Sequence, residues 1–317
     1  MYKNFIKLAI VVSVCCLHSA KAQETTRLIV PFAPGGPTDQ ITRLIALELT
    51  KLTGKPSVVE NKPGAGGTIA AQYVAKAKPD GSVYLVGSPS VLVINQGLQK
   101  TLPYDPEKDF VPVSGMTHSP LIFIVKGDSA LESVQQLVTR AKTLRNLMPM
   151  GSAGNGTIPH LAGTYFNQQA GISALHVPFN GVAPALLSLL SGDTTYMFDT
   201  LSTSIENIKA GKVKGLGIAS EKRFSGLPEI ATLAEQGYAV QASSWFGLVA
   251  PAKTPQATVV AMNQAINSIL TAADFSKKMA AMGIETMPGS VDQFAAFIEA
   301  ERARWLPEVT RLNLSAE

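Results

Sequence analysis

Two glycine-bearing loops, at residues 31–39 and 151–157, constrain this chain more than any other feature. Each loop follows a short apolar run and comes before a segment with helical periodicity. A strand that ends in a glycine turn and leads into a helix directs several unpaired backbone N–H groups, and the positive end of the helix dipole, at one point in space. Two such anion-binding points in one chain predict two lobes that close on a small acidic molecule.

The first 22 residues have the composition of a secretory signal peptide. Lys3 and Lys7 give a basic start, residues 8–17 are apolar, and Ala20-Lys21-Ala22 matches a small-x-small cleavage pattern. The apolar stretch is too short for a stable membrane span, so an uncleaved N-terminal anchor is the less favoured alternative. We expect export to the periplasm and cleavage after Ala22.

Cysteine content and charge exclude several classes of function. Both cysteines, Cys15 and Cys16, lie in the signal peptide, so the mature chain has no disulfide, no thiol nucleophile and no cysteine metal site. The same segment holds three of the 27 basic residues and none of the 23 acidic ones, which leaves a formal charge of about +1. A near-neutral chain without a lysine or arginine cluster is not expected to bind nucleic acid or a membrane surface. No metal-ligand spacing is present either, and we expect no cofactor.

Short apolar runs alternate with helix-period segments through most of the chain, which predicts an α/β fold with a mostly parallel, helix-flanked sheet in each lobe. Residues 41–52 place their apolar side chains on one helical face, and Gly54 is expected to end that helix. A last helical stretch at 291–312 contains Pro307, which is expected to bend or end it. The predicted strands are 27–31, 57–60, 82–87, 121–125, 174–178, 195–198 and 213–219, and further helices at 183–190 and 202–210 are predicted to end at Gly192 and Gly211.

Two apolar runs, 121–125 and 245–249, are predicted to carry the chain from one lobe to the other. Lobe 1 is then discontinuous and comprises residues 23–122 plus 246–317. Lobe 2 comprises residues 123–245.

The first glycine loop supplies one side of the predicted site. Gly35 and Gly36 allow a tight turn, and Thr38 or Asp39 is expected to be the N-cap of the following helix. Asp39 has two interpretations: it caps its own helix, or it accepts a hydrogen bond from a ligand amine or a water molecule.

The second glycine loop supplies the other side. Ser152, Asn155 and Thr157 add side-chain donors to a glycine backbone that includes Gly156. Small hydroxyl and amide residues beside glycines suit a neutral carboxylate cradle, although an ordinary N-capping loop has the same composition. His160 falls one turn inside the helix, where a structural role and a ligand-binding role are both open.

Further candidates lie at the carboxyl ends of other predicted strands, where open α/β sheets bind their ligands. The segment 177–184 turns from a strand into a helix, Asp199 ends another strand, and Ser88 and Ser90 follow a third. The candidate ligand-binding residues are therefore Phe32, Ala33, Gly35, Gly36, Thr38, Asp39, Ser88, Ser90, Ser152, Asn155, Gly156, Thr157, His160, Pro178, Phe179, Asn180, Gly181 and Asp199.

Nine stretches, in order along the mature chain, follow the pattern of one known family. They are 30–39 (VPFAPGGPTD), 59–67 (VENKPGAGG), 79–81 (PDG), 102–110 (LPYDPEKDF), 151–157 (GSAGNGT), 176–179 (HVPF), 197–199 (MFD), 208–212 (IKAGK) and 245–248 (WFGL). In these stretches the chain resembles the Bug-type, TctC-like substrate-binding proteins of tripartite tricarboxylate transporters.

The resemblance implies a periplasmic, two-lobed binding protein of type II, the Venus-flytrap fold, which delivers a small organic acid to the membrane subunits of a transporter. It implies that the loops at 31–39 and 151–157 clasp a carboxylate, partly through ordered waters, and that the turn at 178–181 and Asp199 face the same cleft. Where the family often carries lysine or arginine, this chain has Asn180, and Val182 stands where glycine is common. That departure should weaken recognition of a second carboxylate, so a monocarboxylate, an amino acid or an aromatic acid fits at least as well as a tricarboxylate.

Two other functions are alternatives to transport. Ser152, His160 and Asp199 could be drawn as a hydrolytic triad, but the loop lacks the Gly-x-Ser-x-Gly elbow that exposes a nucleophile. A binding protein that presents the same ligand to a sensor kinase would need the same cleft, and the sequence does not separate it from a transport protein. Nothing in the sequence requires more than a monomer.

Overall fold

A computed structural model describes residues 25–144 and 146–311 of the chain. The predicted signal peptide and its cleavage site lie outside these residues. The strands are β1 (Thr26–Val30), β2 (Ser57–Asn61), β3 (Val83–Gly87), β4 (Phe110–Lys126), β5 (Met148–Ser152), β6 (Ala174–Pro178), β7 (Tyr196–Thr200), β8 (Val213–Ile218), β9 (Ser243–Pro251) and β10 (Glu285–Thr286). The α-helices are α1 (Pro37–Thr53), α2 (Thr68–Ala75), α3 (Asn95–Leu98), α4 (Val134–Thr143), α5 (Ile158–Ala170), α6 (Val182–Ser191), α7 (Leu201–Lys209), α8 (Gln256–Thr271), α9 (Ala273–Ala281) and α10 (Val291–Arg311); a π-helical turn, Ser90–Ile94, leads into α3.

The strands form two sheets that share β4. Lobe 1 is built on the order β2-β1-β3-β9-β4, and lobe 2 on the order β4-β7-β5-β6. β10 and β8 pair with β4 in lobe 1 and lobe 2 respectively. β1 is parallel to β2 and β3, and β5 is parallel to β6 and β7. The predicted α/β, two-lobed architecture is confirmed, but each sheet is mixed because β4 and β9 run antiparallel to their neighbours.

The long strand β4 passes from one lobe to the other. It pairs with β9 from Phe110 to Pro120 and with β7 from Leu121 to Val125. β9 begins at Ser243, opposite Pro120, so the chain returns to lobe 1 at the same level. These strands contain both of the apolar runs that were assigned to the crossings, while the lobe boundaries at 122–123 and 245–246 stay a prediction.

One cluster of buried apolar side chains runs through both lobes beneath the crossing strands. Leu85 and Trp245 belong to it in lobe 1, and Phe123, Phe166 and Phe198 belong to it in lobe 2. Separate clusters lie under α1 and α8 in lobe 1 and between α6 and α7 in lobe 2. The two lobes are therefore joined by a continuous core rather than by an exposed linker.

Helix ends follow the sequence pattern in most places. Gly54 and Gly192 end α1 and α6 in the left-handed conformation, as predicted. Pro307, however, lies inside α10 and does not end it. Its ring removes a hydrogen bond to the carbonyl of Ala303. Both residues are exposed, so water can bind the freed carbonyl, and Trp305 and Val309 hold the helix in the core.

Among the described residues, no helix is both long enough and apolar enough to cross a membrane.

Candidate functional site

The first turns of four helices meet at one cavity between the lobes, which we name the helix-end cavity. Gly36, Thr157 and Thr200 are the N-caps of α1, α5 and α7, and Val182 is the first residue of α6. Each first turn has backbone N–H groups without an intrahelical partner, so four positive helix ends converge there. The wall residues are Phe32, Gly36, Pro37, Thr38, Ser88, Pro89, Ser90, Ala153, Thr157, Ile158, Pro159, Val182, Thr200, Ser244 and Phe246.

The wall of the helix-end cavity is neutral. None of its residues is charged, and much of its surface comes from aromatic rings, aliphatic side chains and prolines. Ser88 is 2% exposed, and its hydroxyl has no hydrogen-bond partner within residues 25–144 and 146–311. A buried hydroxyl without a partner is rare in proteins, because its desolvation is then uncompensated. The cavity therefore offers uncharged donors to an anion and apolar contact to the body of a ligand.

The start of α1 differs from the sequence prediction. The helix begins at Pro37 with Gly36 as N-cap, and no side chain caps it. The expectation that Thr38 or Asp39 is the N-cap is therefore wrong. Proline suits the first helical position, because its fixed φ is helical and an N–H there has no intrahelical partner.

Asp39 holds the first glycine loop together. Its carboxylate accepts hydrogen bonds of 3.0 Å from the Gly35 N–H, from Asn61 Nδ2 and from Arg43 Nε. Burial alone would raise the pKa of Asp39, but these hydrogen bonds together lower the pKa below its ordinary value. These contacts support the glycine loop and are not an N-cap of α1, and Asp39 is not part of the cavity wall. A contact between Asp39 and a ligand stays a prediction.

The second glycine loop is held by its own hydroxyl groups. Thr157 Oγ1 donates to the Gly154 carbonyl over 2.7 Å, and Ser152 Oγ accepts from the Gly154 N–H over 3.1 Å. Ser152 Oγ also lies 2.6 Å from Nε2 of His176. The side chains of Ser152 and Thr157 therefore shape the loop, while Thr157 also contributes to the cavity wall.

Asp199 is completely buried behind the start of α7. Its carboxyl oxygens accept a 2.7 Å hydrogen bond from the Thr200 N–H and a 2.6 Å hydrogen bond from the Ser204 hydroxyl. Burial raises the pKa of Asp199 to about 7, although both hydrogen bonds act in the opposite direction.

The hydrolytic triad of Ser152, His160 and Asp199 that could be drawn from the sequence is not assembled. Ser152 hydrogen-bonds to His176 and not to His160, and the Asp199 carboxyl group is bonded to Thr200 and Ser204.

A second opening lies beside the helix-end cavity. It is a groove between the lobes, and its lobe 1 side includes Asn95, Gln99 and Lys100. Gly156 packs close to the same side, since a Cβ atom there would lie 2.2 Å from Leu98 Cδ1. The loops of the two lobes therefore touch along this groove.

The predicted site residues fall into three groups. Those on the wall of the helix-end cavity are Phe32, Gly36, Thr38, Ser88, Ser90 and Thr157. Those that line the groove are Asn155, Pro178, Phe179 and Asn180. Those outside both linings are Ala33, Gly35, Asp39, Ser152, Gly156, His160, Gly181 and Asp199.

Sequence reasoning missed several wall residues and the partner of Ser152. Ser244 and Phe246 lie near the start of β9. The sequence indicates the run 245–249 only as a crossing between the lobes. His176 lies in the HVPF stretch but was given no role. The missed wall residues are Pro37, Pro89, Ala153, Ile158, Pro159, Val182, Thr200, Ser244 and Phe246, most of which adjoin a predicted residue along the chain.

Comparison with known proteins matches most of this chain to one protein family. The family model described as "Tripartite tricarboxylate transporter family receptor" matches residues 41–314. Protein BugT of Bordetella pertussis is 32% identical over 281 residues, which are 88% of this chain and 86% of that protein.

Two solved structures from Rhodopseudomonas palustris are similar over almost their whole length. Rpa4515 with adipate is 32% identical, with a TM-score of 0.89 over 92% of this chain and 98% of that chain. MatC (Rpa3494) with bound malate is also 32% identical, with a TM-score of 0.85 over 90% of this chain and 98% of that chain.

Proposed function

This chain belongs to the tripartite tricarboxylate transporter receptor family, the Bug-type, TctC-like solute-binding proteins, and we propose that it captures a small organic carboxylate in the helix-end cavity. We further propose that it acts in the periplasm as a monomer and delivers this ligand to the membrane subunits of a transporter. The observation that carries the proposal is the convergence of four helix N-termini on a cavity without a charged wall residue.

The physical basis for capture is a set of fixed, neutral donors. Backbone N–H groups at helix ends and the unpaired Ser88 hydroxyl would bind the carboxylate, and hydrogen bonds to a charged acceptor are shorter and stronger than neutral ones. Closure of the two lobes would exclude water from the site and strengthen these bonds further. A cation is not required, because the helix dipoles already favour negative charge.

The wall favours an acid with one carboxylate and an uncharged body. A second carboxylate on the apolar side, near Phe32 and Phe246, would lose its hydration without gaining a charged partner. Rpa4515 and MatC hold adipate and malate, which have two carboxylates each, so dicarboxylates belong in any test. We propose a monocarboxylate with an uncharged body, such as an aromatic acid, as the ligand class of this chain, because the ammonium group of an amino acid would find no acidic partner on this wall.

Catalysis is not part of the proposal. The Ser152 hydroxyl is 0% exposed and accepts a hydrogen bond from the loop that contains it. A serine nucleophile needs access to its substrate and a base that is oriented by a third group. The contacts of Ser152 fit a loop support better than a nucleophile.

Thermal shifts against a ligand panel test this function. The mature protein is unfolded in denaturant, refolded without ligand, and mixed with monocarboxylates, adipate, malate, citrate, amino acids and aromatic acids. The amide of each acid is the matched control. A ligand at about one hundred times its Kd adds about 2.7 kcal/mol of stability, which is a clear rise in Tm. A large shift with one acid and none with its amide is expected, and a folded protein that responds to no acid would contradict the proposed function.

A further inference from the structure

Two stacked histidine rings support the second glycine loop. The rings of His160 and His176 have centroids 3.8 Å apart and planes within 5° of parallel. His176 Nε2 lies 2.6 Å from Ser152 Oγ, and His160 Nδ1 accepts a 3.2 Å hydrogen bond from the Gly156 N–H. The stack therefore connects the start of the loop, at Ser152, with its end, at Gly156.

The hydrogen-bond partners define the tautomer of each ring. His160 Nδ1 accepts an N–H, so the proton of the neutral ring is on Nε2. The Gly154 carbonyl already accepts from the Thr157 N–H and the Thr157 hydroxyl. The hydroxyl hydrogen of Ser152 is therefore better placed toward His176 Nε2, at 2.6 Å, than toward Gly154 O, at 3.3 Å. His176 then carries its proton on Nδ1.

The neutral state of the stack is the one that holds the loop. Burial, with a smaller contribution from the neighbouring His176, lowers the pKa of His160 to about 3, and burial lowers the pKa of His176 to about 4. A proton on His160 Nδ1 would also face the Gly156 N–H and break that hydrogen bond. Both rings are thus neutral acceptors at the pH of most compartments.

The supported loop presents one end of α5 to the helix-end cavity. Thr157 and Ile158 belong to the cavity wall, and they follow directly after Gly156. We propose that His160 and His176 are positioning residues for ligand binding, which orient this helix end through Ser152 and Gly156 without touching the ligand. The inference rests on the proposed function, because it assigns the supported helix end to the carboxylate of the ligand.

Paired substitutions at one position test the inference. His160→Asn keeps an acceptor at the place of Nδ1, whereas His160→Phe keeps the ring and its stacking but loses the acceptor. We expect His160→Phe to weaken binding of the acid selected by the panel about ten-fold, equivalent to 1.4 kcal/mol, and His160→Asn to stay within about two-fold of the wild type. Hydrogen exchange of the Gly156 amide should quicken only in His160→Phe. Equal affinity of His160→Phe and wild type would overturn the inference.

A measurement on the unmodified protein covers the case in which a variant does not fold. Nitrogen-15 chemical shifts of the imidazole rings distinguish a protonated ring nitrogen from an unprotonated one. We expect the proton on Nε2 of His160 and on Nδ1 of His176 at pH 7, and both rings to remain neutral at pH 5.5. A proton on His160 Nδ1 would overturn the inference, since that atom could not accept the Gly156 N–H.

The outcomes separate this inference from the proposed function. A wild-type protein that binds no acid of the panel contradicts the proposed function and the inference together. A wild-type protein that binds an acid tightly, with a His160→Phe variant that binds it equally well, overturns the positioning role alone.

Discussion

The backbone N–H of Ala33 donates a 3.0 Å hydrogen bond to the carbonyl oxygen of Asn180, and this bond joins the first glycine loop of lobe 1 to the turn between β6 and α6 of lobe 2. A Cβ atom at Gly181 would lie in ordinary van der Waals contact, at 3.5 Å, with Ala33 N and Phe32 Cβ, so the backbone conformation of this residue, and not a lack of space, requires glycine. Its φ of 127° and ψ of 174° belong to a region that essentially only glycine adopts. The two lobes therefore touch backbone to backbone beside the helix-end cavity.

Gly181→Ala should weaken both the fold and ligand binding. A side chain in this backbone region costs about 1–3 kcal/mol, and relief of the strain would move the Asn180 carbonyl away from Ala33. We expect a lower Tm and an affinity reduced at least ten-fold by calorimetry. Gly192→Ala is the matched control, because Gly192 has a φ of 90° with open space around it and lies far along α6. If both variants lose the same stability and neither loses affinity, the contact between the lobes has no part in binding.

Gly36 allows a cleaner test of the anion site than Gly156. Gly36 has a φ of −77°, which any residue adopts, and a Cβ atom there would be 3.9 Å from its nearest neighbours. Gly156 has a φ of 71° and no room for a Cβ beside Leu98, so a substitution there disturbs the fold as well.

Gly36→Asp should therefore abolish carboxylate binding while the protein stays folded. The new charge would sit at the N-terminus of α1, on the wall of the helix-end cavity, and would repel the ligand anion. Gly36→Asn has nearly the same shape without the charge and should lose much less affinity. Isothermal calorimetry measures the affinity of both variants for the carboxylate. Equal losses of affinity would show that the bulk of the new side chain, and not its charge, prevents binding.

Ser88→Ala should separate ligand binding from stability. The Ser88 hydroxyl is buried without a partner, so its removal breaks no hydrogen bond in the free protein and should leave Tm unchanged or slightly higher. Binding should weaken by about 0.5–3 kcal/mol if the hydroxyl donates to the charged carboxylate. Ser57→Ala, at another buried hydroxyl without a partner but on β2 and outside the cavity wall, is the control. Unchanged affinity in Ser88→Ala would remove Ser88 from the site.

The architecture could be predicted because it depends on local patterns. Alternating apolar runs and helix-period segments indicate an α/β fold, and glycines before helices indicate where free N–H groups collect. Gly36 and Thr157 accordingly lie on the cavity wall, each as the N-cap of a helix.

The side-chain contacts that support the two glycine loops could not be predicted, because they depend on strand register. The parallel pairing of β5 with β6 places Met150 beside His176 and Gly151 beside Val177, which brings His176 to Ser152 across 24 residues of sequence. No local pattern specifies that partner. The same holds for Asp39, whose contact with Asn61 follows from the pairing of β1 with β2.

Asp199 gives a pH-dependent prediction with a defined sign. In the folded protein burial raises the pKa of Asp199 to about 7 from an ordinary value of 3.8. Between these values the folded state holds a proton that the unfolded state has lost, so this residue lowers the free energy of unfolding as the pH rises from about 4 to 7. The effect is absent below pH 4, reaches its maximum above pH 7, and changes by about 1.4 kcal/mol per pH unit in between.

Asp199→Asn should therefore stabilise the protein at pH 8 and leave it nearly unchanged at pH 4. The asparagine can accept the Thr200 N–H and donate to Ser204, so both native hydrogen-bond positions remain filled. Urea unfolding of the two proteins at pH 4, 6 and 8 measures the difference, and other titrating groups cancel because they are common to both. A difference that does not grow with pH would contradict a buried, protonated Asp199.

The order of ligand preference should stay the same in the Asp199→Asn variant, since Asp199 lies behind α7 and not on the cavity wall. A changed order would instead place its carboxyl group in contact with the ligand.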